Sequence, residues 1–191
     1  MKATLLPVYF PQEKTERFET QLERLRTLLG EVAEFLPPQP IDAPAPKCDA
    51  VVFPEIVGEA YRRTEDFRRL PLPFLIATSE FGTLSMWDWE VINFLKVHNL
   101  PALAPYNLEQ ARLYCRMLAM RGTLRGGKFL VFQDNPGDGF QPEIFKSFFW
   151  WGEGCTQAIE EKFGLTIERR SLKKLGSDAL AIPDSTALDE W

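Results

Sequence analysis

The sequence predicts an α/β fold, a three-layer αβα arrangement with a mostly parallel sheet. Two observations carry that expectation. Seven short apolar runs alternate along the chain with helical patterns, and most runs stop abruptly at polar or turn-forming residues. Such alternation implies parallel strands joined by right-handed crossovers, with helices on both faces.

The elements follow in order. Ala3 to Tyr9 is an apolar run closed by Phe10-Pro11, and reads as a first strand. Phe18, Leu22, Leu25 and Leu29 then recur at helical spacing, with charges on the other side and Gly30 at the end. Val32 to Leu36 is a weak second strand. Five prolines between Pro37 and Pro46 make the next stretch an extended connection, since proline cannot donate a backbone hydrogen bond. Ala50 to Phe53 is a compact buried strand ending at Pro54-Glu55. Residues 56–69 are mixed and partly helical.

Phe74 to Thr78 is the next strand, running into Ser79-Glu80-Phe81-Gly82. Ser85 and Asp88 have capping-box spacing, ahead of a helix that buries Trp87, Val91, Phe94 and Leu95. Ala102 to Ala104 is short. Asn107 and Gln110 repeat the capping spacing before a helix with Leu108, Ala111, Cys115 and Leu118 inward; Arg112, Arg116, Arg121 and Arg125 form its solvated face. Gly126-Gly127 breaks this helix, and Lys128 to Phe132 reads as a buried strand. Pro142 opens a long helix with Ile144, Phe145, Phe148, Gly152, Cys155, Ile159 and Phe163 inward, ended by Gly164. Leu165 to Ser171 is the last strand. Residues 1–176 are expected to form one domain. Residues 177–191 are expected to be a linker and the start of a helix, signalled by Pro183-Asp184-Ser185, that continues into a further C-terminal part.

Composition excludes several classes. The chain has 191 residues, 45% of them hydrophobic, so it can bury a sizeable core. Its formal charge of −5 gives no electrostatic footprint for nucleic acid. No apolar stretch is long enough to span a bilayer. Cys48, Cys115 and Cys155 suit neither a disulfide framework nor a zinc site, which points to a reducing, cytoplasmic compartment. His98 is the only histidine, so no multi-histidine metal site can form. It stands at a helix C-terminus, where it complements the dipole.

Ligands of open α/β sheets bind at the carboxyl ends of strands. Gln133, Asp134 and Asn135 stand at one such end, where they either hold a polar ligand or form a plain strand-to-helix turn. Glu80 occupies the equivalent place on another strand, as an acid, a base, an acceptor for a sugar hydroxyl, or a solvated loop carboxylate. Glu55 has the same options with weaker support. Phe148-Phe149-Trp150-Trp151 sweeps around a whole helical turn, so Trp150 or Phe149 must face a second surface, such as a subunit or domain interface.

Several segments together resemble the N-terminal part of the L-fucose/L-arabinose isomerase superfamily, in particular its fucose-isomerase-like members. They are Thr78 to Glu90, Ala104-Pro-Tyr-Asn-Leu-Glu-Gln110, Lys128 to Phe140, and Phe145-Lys-Ser-Phe-Phe-Trp-Trp151. The likeness covers about residues 3–175 and lies in pattern and order, without a catalytic signature. It implies a flavodoxin-like domain of an aldose–ketose isomerase. In such proteins a divalent metal, usually Mn2+, polarises sugar oxygens while carboxylates move the proton. The family's metal ligands lie in later domains, and nothing in this chain corresponds to them. The resemblance thus implies a chain without catalytic residues or cofactor of its own. It would shape a sugar site with Glu80, Phe81, Gln133, Asp134 and Asn135, and assemble as a homo-oligomer through aromatics such as Trp150. The alternative is a free-standing module that binds sugar or phosphate without catalysis.

Overall fold

The structure is a computed structural model that describes residues 1–10, 14–55, 58–71, 73–77, 86–134 and 151–189; for residues 58, 59, 86–89 and 189 it describes the backbone alone. The chain divides into two compact units, Met1–Gly122 and Thr123–Trp191.

The first unit is built on a six-stranded sheet. Strand β1 is Ala3–Tyr9, followed by helix α1, Glu16–Leu29. Two short strands, β2 (Ala33–Phe35) and β3 (Gln39–Pro40), both pair with β1, one after the other along the same chain direction. Strand β4, Ala50–Phe53, lies on the other side of β1. A 3-10 turn, Gly58–Arg62, and helix α2, Thr64–Arg69, lead to β5, Phe74–Ile76. Helix α3, Met86–Val97, strand β6, Ala102–Leu103, and helix α4, Leu108–Leu124, complete it. Every pairing is parallel, and the order is β2-β1-β4-β5-β6.

Period-two alternation sends the side chains to two cores. Leu5, Ala50, Val52 and Leu75 pack with Leu25 and Leu29 of α1 and with Ala111, Cys115 and Leu118 of α4. Leu6, Val8, Val51, Phe53 and Phe74 pack on the opposite face with Phe67 of α2 and Val91 and Leu95 of α3. This is the expected three-layer αβα fold. The second core is aromatic: Phe53 lies 5.5 Å from Phe10, 5.4 Å from Phe67 and 5.7 Å from Phe74, between ring centroids. Burying each such ring contributes about 2–3 kcal/mol.

Local chemistry sets the helix ends. Thr15 caps α1, its hydroxyl accepting from the Phe18 amide at 2.9 Å. Asn107 Oδ1 accepts from the Gln110 amide at 2.8 Å, as the capping spacing predicts, while Gln110 Oε1 reaches back to the Tyr106 amide at 2.7 Å. Arg112 departs from the expected solvated face. It is half-buried, and its guanidinium donates to the Leu28 carbonyl (3.3 Å from one nitrogen), which satisfies an orphan acceptor at the end of α1.

The second unit pairs β7, Lys128–Phe132, with β8, Thr166–Arg170, in a parallel two-stranded sheet. Between them lies α5, Glu153–Phe163, and after them come α6, Leu172–Leu180, and α7, Asp184–Asp189. Three expectations are corrected here. Strand β7 is not buried: Phe129 is 47% exposed and Leu130 42%. Among the described residues it pairs with β8 alone, and a two-stranded sheet has no second strand layer around it. The helix expected to open at Pro142, whose residues 142–150 lie outside the described ones, is not continuous through Gly152. Gly152 is extended, with φ −64° and ψ 169°, and stands as the N-cap of α5. That start turns Thr156 inward and leaves Cys155 exposed, so Cys155 is not a core filler. Gly164 ends α5 as expected, in the left-handed region at φ 68° that glycine enters without a Cβ penalty. Helix α6 runs across residue 177, and α7 begins at the predicted Pro183-Asp184 signal. Phe145 and Phe148, with Phe149, Trp150 and the capping residue Ser85, lie outside the described residues, and Trp87 and Trp89 are described by backbone alone.

Candidate functional site

The topology of the first unit singles out one crevice. Counting β2 and β3 as one interrupted edge strand, the order reads 2-1-3-4-5. The chain leaves β1 toward one edge, returns past it, and continues from β4 toward the other. The element after β1, helix α1, therefore packs on one face of the sheet, and α2, which follows β4, packs on the other. The two connections diverge at the carboxyl ends of β1 and β4, which is where α/β sheets of this order bind ligands.

Three polar side chains meet there. The Thr15 hydroxyl donates to Glu55 Oε2 at 2.6 Å while accepting from Phe18. The Glu55 side chain is 16% exposed, and its Oε1 lies 3.9 Å from Arg17 Nε. Glu55 follows β4, and Thr15 and Arg17 sit at the start of α1. The carboxylate thus lies against a helix N-terminus, where the backbone dipole favours negative charge. Chemically the arrangement presents an oriented carboxylate acceptor with a hydroxyl beside it. It suits a ligand that donates hydrogen bonds. It opposes an anion, because the position an anion would take at this helix start already carries a carboxylate.

The residues singled out from the sequence have other surroundings. In the second unit, Gln133 Nε2 donates to the Trp151 carbonyl at 3.1 Å, and its Oε1 accepts from the Trp151 amide at 3.3 Å. Trp151 also stacks on Phe129, ring centroids 6.1 Å apart. Asp134 Oδ2 accepts from the Lys173 amide at 2.9 Å, in the first turn of α6. The Ser171 hydroxyl and that amide hold the Asp134 carboxyl below its ordinary range. Gln133 thus ties β7 to the start of α5, and Asp134 serves the N-terminus of α6. Glu80, Phe81 and Asn135 lie outside the described residues.

Sequence reasoning gave Glu55 little weight and passed over Thr15. The available signal was Thr15 standing directly before an amphipathic run with Glu16 and Glu19 in its first turn. The forty-residue separation between Thr15 and Glu55 hid their pairing.

Strand order, parallel pairing and crevice define a flavodoxin-like three-layer α/β protein. No protein-family model matches this chain, and no curated protein matches its sequence. The fold alone hosts many activities. Among the described residues no three His, Cys, Asp or Glu side chains come together to hold a metal ion. No helix among the described residues is long and apolar enough to cross a membrane.

Proposed function

We propose that this chain is the flavodoxin-like portion of a sugar-isomerase-like protein, and that it binds and shapes a carbohydrate at the carboxyl ends of β1 and β4. The observation that carries the sugar-binding role is the Glu55 carboxylate, oriented by Thr15 at the switch point of the sheet. A neutral polyol donates hydroxyls to that carboxylate, whereas a phosphate meets like charge. The isomerase kinship rests on the resemblance of the segments around residues 78–90, 104–110, 128–140 and 145–151. Glu80, Phe81, Gln133, Asp134 and Asn135 remain the residues that resemblance assigns to the sugar, and Trp150 to a homo-oligomer.

A second reading, a free-standing sugar-binding module, is favoured by one fact: Thr15 and Glu55 both belong to the first unit. Calorimetric titration of the chain with L-fucose, L-arabinose and inorganic phosphate separates the readings. Aldose binding tighter than about 1 mM by the chain alone favours the module. Weaker aldose binding that Glu55→Gln abolishes favours the isomerase-like portion. Phosphate binding, or aldose binding indifferent to Glu55→Gln, overturns both. The chain alone, supplied with manganese, is expected to leave aldoses unconverted; conversion would refute a purely shaping role.

A further inference from the structure

A concavity with polar and apolar lining lies elsewhere in the first unit, between the 3-10 turn and α3. Tyr61, Glu90, Asn93, Phe94 and Val97 line a groove of about 370 Å³, within the roughly 300–1,000 Å³ of small-ligand sites. Four of the five come from one face of α3, at positions i, i+3, i+4 and i+7. Tyr61 comes from the facing turn, and its ring meets Phe94 edge-on at 5.1 Å.

We propose that this groove binds a primary alkylammonium group, the chemistry of a lysine side chain or an aliphatic amine. Three observations converge. The Tyr61 hydroxyl donates to Glu90 Oε2 at 3.2 Å, and among the described residues Glu90 has no basic partner. That bond leaves the phenol oxygen's lone pairs, the rest of the carboxylate and the Asn93 carboxamide oxygen as acceptors. An ammonium group carries three N–H donors and no acceptor, so the groove's polar set matches it in number and in sign. Phe94 is half-buried, and Val97 is 70% exposed at the rim. They offer apolar surface for the methylenes, and the aromatic rings add attraction for a cation. The phenol is already held above its ordinary range, by desolvation first and then by Glu90, which agrees with a negative groove. A phosphate or carboxylate would be repelled, and a neutral alcohol would leave the carboxylate's charge unanswered.

The test is a titration of the full chain with n-butylammonium chloride, followed by NMR of the Tyr61 and Phe94 ring protons, with n-butanol as the uncharged control. The expected result is saturable shifts of both rings, with n-butanol at least about tenfold weaker, since loss of a charge-assisted hydrogen bond costs on that order. Glu90→Gln should reduce n-butylammonium affinity at least about tenfold while leaving the amide spectrum folded. Tyr61→Phe, which removes one acceptor and keeps the ring, should have a smaller effect. Equal binding of the amine and the alcohol overturns the proposal. So does undiminished amine binding by Glu90→Gln, or shifts spread over the acidic surface and absent from these two rings.

Discussion

Replacing Thr15 by alanine removes two hydrogen bonds with one change. Its hydroxyl caps α1 through the Phe18 amide at 2.9 Å and donates to the Glu55 carboxylate at 2.6 Å. Loss of a threonine N-cap costs about 1 kcal/mol. A hydrogen bond to a charged group contributes about 1.5–3 kcal/mol when sheltered. Thr15 is exposed, so water recovers part of that and leaves about 1 kcal/mol. The expected total is about 2 kcal/mol, or a fall of roughly 4–8 °C in Tm for a chain of this size. Thr15→Ser keeps the hydroxyl and should stay within about 0.5 kcal/mol of the parent. Glu55→Gln should cost about 1 kcal/mol, and the double variant should show a coupling of about 1 kcal/mol. Urea unfolding followed by far-UV circular dichroism measures all four variants against the parent. If Thr15→Ala is as stable as the parent, or Thr15→Ser is as damaging as Thr15→Ala, the hydroxyl is not what organises the crevice. A coupling near zero would separate the cap from the carboxylate.

Three further outcomes follow from the ionisable groups. Burial pushes the Cys115 thiol up to about 11, so it should resist thiol reagents in the native state, whereas the exposed Cys155 should react first. Its folded value lies above the ordinary 9.0, so the stability it contributes is present below about pH 9 and fades as pH rises toward 11. Cys115→Ala should flatten that alkaline decline in pH-dependent urea unfolding. Asp134 has the opposite sign. Its carboxyl is held below 3.8 by Ser171 and Lys173, so its contribution is present above that value and lost as pH falls through the depressed one. The Lys173 amide resonance should shift in that acidic range in the parent and lose the transition in Asp134→Asn.

Local pattern was legible wherever a single segment decides its own state. Helix α1 is buried through Phe18, Leu22, Leu25 and Leu29, the stripe its spacing predicts. Strands β1, β4 and β7 run over the residues their apolar runs mark. What a strand pairs with is another matter. Nothing within Lys128–Phe132 distinguishes a central strand of a large sheet from one member of a pair, because both require the same extended apolar residues. The expectation that seven strands share one sheet failed on that ambiguity: β7 and β8 form a sheet of their own. The stripe predicted through residue 152 ran into a comparable difficulty. Gly152 fits a helical inner face by spacing, yet glycine has a weak preference for staying helical, and the backbone turns extended there. Glu55 illustrates a third limit. A carboxylate after proline reads as a turn residue until the fold brings the start of α1 to it.

Among the described residues, the lateral margins of the six-stranded sheet are short and interrupted by proline. One margin is split into β2 and β3, of three and two residues, with Pro37 and Pro38 between them and Pro40 inside the second. The other is β6, two residues between Pro101 and Pro105. Proline lacks the amide hydrogen an incoming ladder would need, and such short segments offer little template. Copies of this chain that meet at the first unit therefore gain little from backbone pairing along these margins. Backbone zippering, the usual route by which open sheets aggregate, is disfavoured on both sides.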